Sequence, residues 1–215
     1  MVKTNPNLRA PVKSAIFHGL YAITQPSATL AAQVEQAILG GARVIQYRDK
    51  SQDQSHRYRE AQSLLQICRQ YSVPLIINDD IELAHAIGAD GVHLGSDDAA
   101  YESARERLGA RAIIGVSCYN QLSLALLAQA QGADYVAFGR FFPSRSKPNA
   151  VQADLDMLQQ ARQQLRIPII AIGGITSANG RQLIEAGADM LAVIEAVFAQ
   201  TNIKVAAEGF QVCFQ

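Results

Sequence analysis

The 215-residue chain has little of what would place it in several large classes of protein. It has no excess charge of either sign: 19 Lys and Arg balance 19 Asp and Glu. No global field draws it to nucleic acid or to an anionic membrane, so any anion it binds is held locally. Cysteine is scarce. Cys68, Cys118 and Cys213 are too few and too scattered for a disulfide framework, and their spacings match no zinc pattern. A cytoplasmic, reducing setting is expected. Long apolar runs are missing as well: the segment from Ala15 to Thr24 contains His18 and is too short to span a bilayer. No small-residue cleavage site follows it, which argues against a signal peptide. The first turn, ITQPSAT, lacks the glycine-rich fingerprint of a dinucleotide-binding open sheet. No flanking carboxylate pair, serine triad or Schiff-base lysine is evident, and Cys118 has no neighbouring histidine in sequence to activate it.

Apolar sequence is plentiful, at 49% of positions, enough to bury a sizeable core in one domain. Residues 1–14 are polar and aperiodic and are expected to form a flexible arm, with residues 15–200 as the catalytic domain and 201–215 as a C-terminal tail. From Ile16 an apolar run, a loop and a stretch of helical periodicity follow one another, and the phrase then repeats. The runs IFHGLYAIT, RVIQYR, PLIIN, DGVHLG, AIIGVS, DYVAFG, PIIAIG and DMLAVI are each followed by a helical segment, which makes eight strand-helix units. Gly-Ala pairs at Gly41, Gly88, Gly132 and Gly187 introduce the even-numbered strands, the glycine suiting a helix C-terminus at positive φ. Pro74 and Pro168 open strands 3 and 7. Eight unbroken units at this length predict a (β/α)8 barrel, with an open doubly wound sheet as the structural alternative.

In such a barrel the chemistry collects on the loops after the strands. Thr24 and Gln25 follow strand 1. After strand 2, alternation predicts Gln46, Arg48 and Lys50 on one side and Tyr47 and Asp49 on the other, three long donors suited to a diphosphate. A surface cluster neutralised through Asp49 is the plainer reading. Strands 3 and 4 end in Asn78, Asp79 and Asp80 and in Asp97 and Asp98, hard oxygen donors of the kind Mg²⁺ prefers. Asp80 immediately precedes IELAHAI and is placed to cap that helix; one aspartate of 97 and 98 can cap the next, so one member of each pair is expected to be structural. His93, inside a strand, is expected to be a hydrogen-bonded group rather than a ligand. Ser117, Cys118 and Tyr119 end strand 5. The long loop after strand 6 carries Arg140, Ser144, Arg145, Ser146 and Lys147, a second anion-binding segment or lid. Gly173 and Gly174 after strand 7, with Ile194 and Glu195 after strand 8, stand where barrels of this kind often cradle a phosphate. Two phosphorylated substrates, one of them a metal-bound diphosphate, would use all of these groups.

From about Gly19 to Phe198 the chain resembles the thiamine-phosphate synthase family. QYRDK is similar to that family's Q-x-R-E-K segment, IINDD and GVHLGSDD to its metal segments, GRFFPSRSK to its G-P-x-F-P-T-x-T-K loop, and IGGI to its phosphate loop. The resemblance implies a single-domain (β/α)8 barrel with Mg²⁺ that joins a hydroxymethylpyrimidine diphosphate to a thiazole phosphate and releases diphosphate. It implies that Gln46, Arg48, Lys50, Asn78, Ser117 and Lys147 hold the pyrimidine diphosphate, with Arg48, Lys50, Ser117 and Lys147 in the catalytic role. Asp79 and Asp98 would bind Mg²⁺, leaving Asp80 and Asp97 as caps. Ser144, Arg145, Ser146, Gly174, Ile194 and Glu195 would hold the thiazole phosphate. The chain departs from the pattern at Arg140 for proline, Ser144 and Ser146 for threonine, Tyr119 for histidine and Glu195 for a small residue. A tautomerase-like paralogue would not need the diphosphate and metal residues, and a phosphate-ligand sensor would bind without turnover. The expected partners are small phosphorylated molecules, with no nucleic acid and no membrane; the sequence leaves room for a homo-oligomer.

Overall fold

The computed structural model describes residues 16–95, 101–143 and 151–215. Eight parallel strands close into a barrel in chain order. They are β1 (Gly19–Ile23), β2 (Ala42–Tyr47), β3 (Leu75–Asn78), β4 (Gly91–Leu94), β5 (Ile113–Tyr119), β6 (Tyr135–Phe138), β7 (Ile169–Ile172) and β8 (Met190–Val193). Register closes where Leu20 meets Leu191 and Ala22 meets Val193. The helices between them are α1 (Leu30–Leu39), α2 (Gln54–Gln70), α3 (Ile81–Ile87), α4 (Tyr101–Leu108), α5 (Leu122–Gln131), α6 (Leu155–Gln164), α7 (Arg181–Glu185) and α8 (Glu195–Phe198). Beyond the eighth unit, α9 (Ile203–Glu208) and a 3₁₀ helix (Gly209–Phe214) pack against α1, β1 and α7. Among the described residues, no helix is long and apolar enough to cross a membrane.

Strand alternation sorts the core into two layers. Leu20, Ala22, Ile45, Tyr47, Leu75, Ile77, Val92 and Leu94 face the helices. Tyr21, Ile23, Val44, Ile76, Tyr135, Ile170, Met190 and Ala192 fill the barrel interior, with Phe17 packed among them. The four repeat glycines all lie at positive φ, from 67° to 112°, which explains why each unit turns from helix to strand there. Pro74 and Pro168 stand just ahead of β3 and β7, where their carbonyls accept from Ile45 and Val136 (both 3.1 Å) and no amide is needed.

Caps set several helix starts. Asp53 accepts from His56 N (2.9 Å), so α2 begins at Gln54. A longer seventh helix, from Ala178, is expected from the sequence. Instead Asn179 accepts from Thr176 N (2.8 Å) and donates to Gly174 O (3.1 Å), which folds residues 174–179 into a turn and delays α7 to Arg181.

Candidate active site

The carboxyl ends of the strands open on a cavity of about 590 Å³. Gln46, Arg48, Asn78, Ser117, Gly174, Ile194 and Glu195, all singled out by sequence, line it together. Lys50 and Asp79 line a neighbouring, more open cleft of about 680 Å³ that shares Asn78. The expected grouping of Gln46, Arg48 and Lys50 on one side is therefore corrected: Lys50 has turned away. The cause is local. β2 ends at Tyr47, and Asp49 then accepts from Ser51 N (2.8 Å) and Ser51 Oγ (2.9 Å), turning the chain out of the strand before Lys50 can follow the alternation. Burial pushes the Asp49 carboxyl up, but the two Ser51 bonds and the charge of Arg57 outweigh it and hold the group below its ordinary value. Arg48 is steadied by its own amide, which donates to the fully buried Thr24 Oγ1 (2.9 Å).

Below Arg48 a polar chain crosses the barrel interior. Gln46, 2% exposed, donates from Nε2 to Tyr21 Oη (2.9 Å), and Tyr21 Oη lies 2.8 Å from Tyr135 Oη. Tyr135 Oη lies 2.9 Å from His93 Nδ1, and His93 Nε2 lies 2.9 Å from Ser117 Oγ. His93 and Tyr135 stack with ring centroids 5.5 Å apart. His93 is thus a hydrogen-bonded strand group, as its position implies. Burial raises the Tyr21 and Tyr135 hydroxyls well above the ordinary tyrosine range, so both stay protonated. Sequence reading missed both tyrosines because they do not lie at strand ends: Tyr21 is in the middle of β1 and Tyr135 opens β6. The signal that finds them is parity: in register Ile23 faces Gln46, so Tyr21, two positions earlier, shares the inward face.

On the metal side the structure separates the two aspartates after β3. Asp80 accepts from Leu83 N (2.8 Å) as the cap of α3 and pairs with Arg57 (2.8 Å). Asp79 sits at φ 64°, a left-handed conformation rare outside glycine, which turns it away from the path of the capping residue. The Asn78 amide donates to its carboxylate. Asp97, Asp98, Ser144, Arg145, Ser146 and Lys147 lie outside the described residues. Among the described residues, Asp49, His56 and Glu60 bring ligand atoms within 4.8 Å of one another, but Tyr47 and Ser51 already donate to these carboxylates.

The double glycine has a reason the sequence did not disclose. Gly173 lies at φ 103° and Gly174 at φ 64°, and a Cβ at either would meet protein: Arg140 Cβ at 2.3 Å or Pro143 O at 2.4 Å. The segment after β6 crosses these glycines closely, with Phe141 N donating to Ile172 O (3.2 Å) and Phe142 N to Gly173 O (3.0 Å). Gly173 and Gly174 still line the cavity, beside Arg140, Pro143 and Thr176. Three of the departures from the family pattern, Tyr119, Arg140 and Glu195, therefore line the same cavity.

Residues 20–197 match the family model described as thiamine monophosphate synthase. A thiamine-phosphate synthase of Nitrosococcus oceani is 54% identical over 202 residues, spanning 92% of this chain and 93% of that protein. One from Thiobacillus denitrificans is 50% identical over 192 residues, spanning 88% and 91%. Among solved structures, a thiamine phosphate pyrophosphorylase from Pyrococcus furiosus superposes with a TM-score of 0.84 at 34% identity, covering 92% of this chain and 96% of that one. The chain belongs to the thiamine monophosphate synthase family and is a transferase of that family.

Proposed function

We propose that this enzyme condenses 4-amino-2-methyl-5-hydroxymethylpyrimidine diphosphate with a thiazole phosphate, giving thiamine phosphate and diphosphate, in the cytoplasm. The observation that carries the reading is convergence: donors from β2, β3 and β5 and the glycine and helix-start groups after β7 and β8 line one cavity. A cavity of about 590 Å³ with apolar walls from Ile23, Ile170, Ile172 and Val193 suits two small aromatic rings with charged groups at its rim.

In this reading Gln46, Arg48, Asn78 and Ser117 hold the pyrimidine diphosphate, with Lys50 and Lys147 reaching its outer phosphate. Gly174, Ile194 and Glu195, with Ser144, Arg145 and Ser146, receive the thiazole phosphate. Asp79 fits a hard divalent cation in donor type, because its carboxylate opens on the cleft that also holds Lys50, while Asp80 is occupied by its cap and by Arg57. Mg²⁺ held by Asp79 and Asp98 would supply charge neutralisation on the departing diphosphate. Arg48, Lys50 and Lys147 stabilise the same developing charge. The bond to the diphosphate breaks first, the aminopyrimidine ring carries the resulting positive charge, and the thiazole nitrogen captures it. The buried walls exclude water from that cation, and the two anion sites set the approach of the thiazole.

Incubation with both substrates and Mg²⁺ is expected to release diphosphate and form thiamine phosphate. Absence of product at every Mg²⁺ concentration would sink the synthase reading. Binding of thiazole phosphate without turnover would instead mark a ligand sensor.

A further inference from the structure

We infer that Tyr21, Tyr135 and His93 are positioning residues forming a one-way relay, directed by the Gln46 amide, that holds His93 as the Nε2–H tautomer and turns the Ser117 hydroxyl proton toward the cavity. What Ser117 then does for the reaction rests on the synthase reading; the relay itself does not.

The direction follows from which groups can only donate. The Gln46 amide nitrogen has protons and no acceptor, so Tyr21 Oη accepts from it (2.9 Å). The Tyr21 hydroxyl proton then has Tyr135 Oη, at 2.8 Å, as its acceptor. Tyr135, having accepted, donates to His93 Nδ1 (2.9 Å), which must be unprotonated to receive it. The neutral imidazole therefore carries its proton on Nε2 and donates to Ser117 Oγ (2.9 Å). Ser117 lines the cavity, and its own proton is left to point there.

The other orders each strand a buried proton. If His93 carried its proton on Nδ1, Tyr135 would accept from it and donate to Tyr21. Tyr21 Oη would then receive from both neighbours, and its own hydroxyl proton would find no acceptor in the chain, on a side chain only 1% exposed. A doubly protonated His93 would make Tyr135 accept from both sides and strand the Tyr135 proton in the same way. Burial also keeps both phenols from ionising, so neither hydroxyl drops out of the relay as an anion.

Nitrogen-15 histidine spectra of the ligand-free protein test this, with the His93 signal assigned by its loss in His93→Gln. The wild-type protein is expected to show the Nε2–H tautomer; an Nδ1–H tautomer overturns the inference. Gln46→Glu, measured at alkaline pH where the introduced carboxyl is ionised, can only accept. Tyr21 must then donate to it, the chain reverses, and His93 is expected to switch to Nδ1–H. An unswitched His93 overturns the relay. Adding Tyr135→Phe breaks the chain, so the switch is expected to vanish in the double variant; its persistence refutes transmission through Tyr135. Should Gln46→Glu not fold, Tyr21→Phe serves instead, with loss of the single tautomer expected and its retention overturning the idea. For the reaction, Tyr135→Phe keeps the ring stacked on His93 and is expected to lower turnover about tenfold while the KM for pyrimidine diphosphate moves less than about twofold. Full turnover with the tautomer lost would refute the positioning role. The spectra need no substrate, so failure of the synthase reading and failure of the relay are separable.

Discussion

Gly115 lies across from Tyr135 in the β5–β6 register, and Gly115→Ala tests how firmly the interior is packed around the polar chain. An added Cβ would stand 1.9 Å from Tyr135 Cζ and 2.3 and 2.4 Å from its two Cε atoms. Ordinary carbon contacts need about 3.5 Å, so the ring must retreat by roughly 1.5 Å. It has nowhere cheap to go. Its hydroxyl is held by Tyr21 and His93, and its faces and edges meet His93 at 5.5 Å and Phe17 at 5.2 Å between centroids. Such a shift stretches both hydrogen bonds past useful length, at about 1–3 kcal/mol for each buried group left unmet, and overpacking adds about 1–3 kcal/mol. Partial relaxation of the strands makes a total of about 3–5 kcal/mol the expected cost. Urea unfolding with the slope unchanged measures it, and in a domain of this size a fall in Tm of roughly 10 °C should accompany it. Gly115→Ala combined with Tyr135→Ala should cost less than the sum of the two single changes, because the clash is gone. A loss below about 1 kcal/mol in Gly115→Ala alone would refute the claim that the ring is pinned.

Asp79 and Asp80 are expected to fail differently. Asp80→Ala removes the α3 cap and the Arg57 partner and should cost about 1–2 kcal/mol of stability in denaturant unfolding, whereas Asp79→Asn should chiefly lower Mg²⁺-dependent diphosphate release. Asp98→Asn should cut turnover far more than Asp97→Asn; equal losses in a diphosphate-release assay would refute the assignment of Asp98 to Mg²⁺. Asp49 gives a pH signature. Its folded pKa is depressed, so its contribution to stability is present above the unfolded carboxylate value and is lost as pH falls through the lower folded value. Ser51→Ala removes one of the bonds responsible, so the carboxyl should titrate at higher pH by carbon-13 NMR and the acid loss should begin earlier; an unmoved titration would show that Ser51 Oγ contributes nothing. Asp134→Ala leaves Ile114 N and Arg105 without their carboxylate, both partly buried, and should cost about 2–4 kcal/mol in the same unfolding assay.

Asp134 also shows where reading the sequence stopped short. The Gly-Ala pairs were legible because glycine at positive φ is a local requirement, satisfied within one turn of chain. The role of the aspartate that follows three of them is not legible in the sequence, because its partner lies on a neighbouring strand. Asp90 accepts from Leu75 N (2.8 Å), Asp134 from Ile114 N (2.8 Å) and Asp189 from Ile169 N (2.7 Å), so each ties an amide at the first or second residue of the preceding odd strand. Gly41-Ala42 is followed by Arg43 and has no such tie. The same distinction divides the site. Asp80 as a cap was readable from IELAHAI, which lies beside it. The outward turn of Lys50 depended on Ser51 completing a side-chain turn with Asp49, and the role of Gly173 and Gly174 depended on a segment arriving from β6.

The interior polar chain is where fold and site become one problem. Its members sit on inward positions of β1, β2, β4, β5 and β6, and a barrel of this size has room for only so many large side chains in each layer. Tyr135 reaches Tyr21 and His93 together only because its register partner on β5 is a glycine, and β4 meets Ile113 with another, Gly91, where an added Cβ would lie 1.9 Å from Ile113 O. Those glycines read in sequence as weak points in strands. The missing side chain at Gly115 leaves room for the Tyr135 ring, and without Tyr135 in that place Gln46 on β2 and Ser117 on β5 would have no shared hydrogen-bond path, while Gly91 lets β4 lie close against the Ile113 backbone. The cost in strand propensity is therefore tied to the site above, and substitutions that stabilise β5 by adding a side chain at position 115 should disconnect the two walls of the cavity.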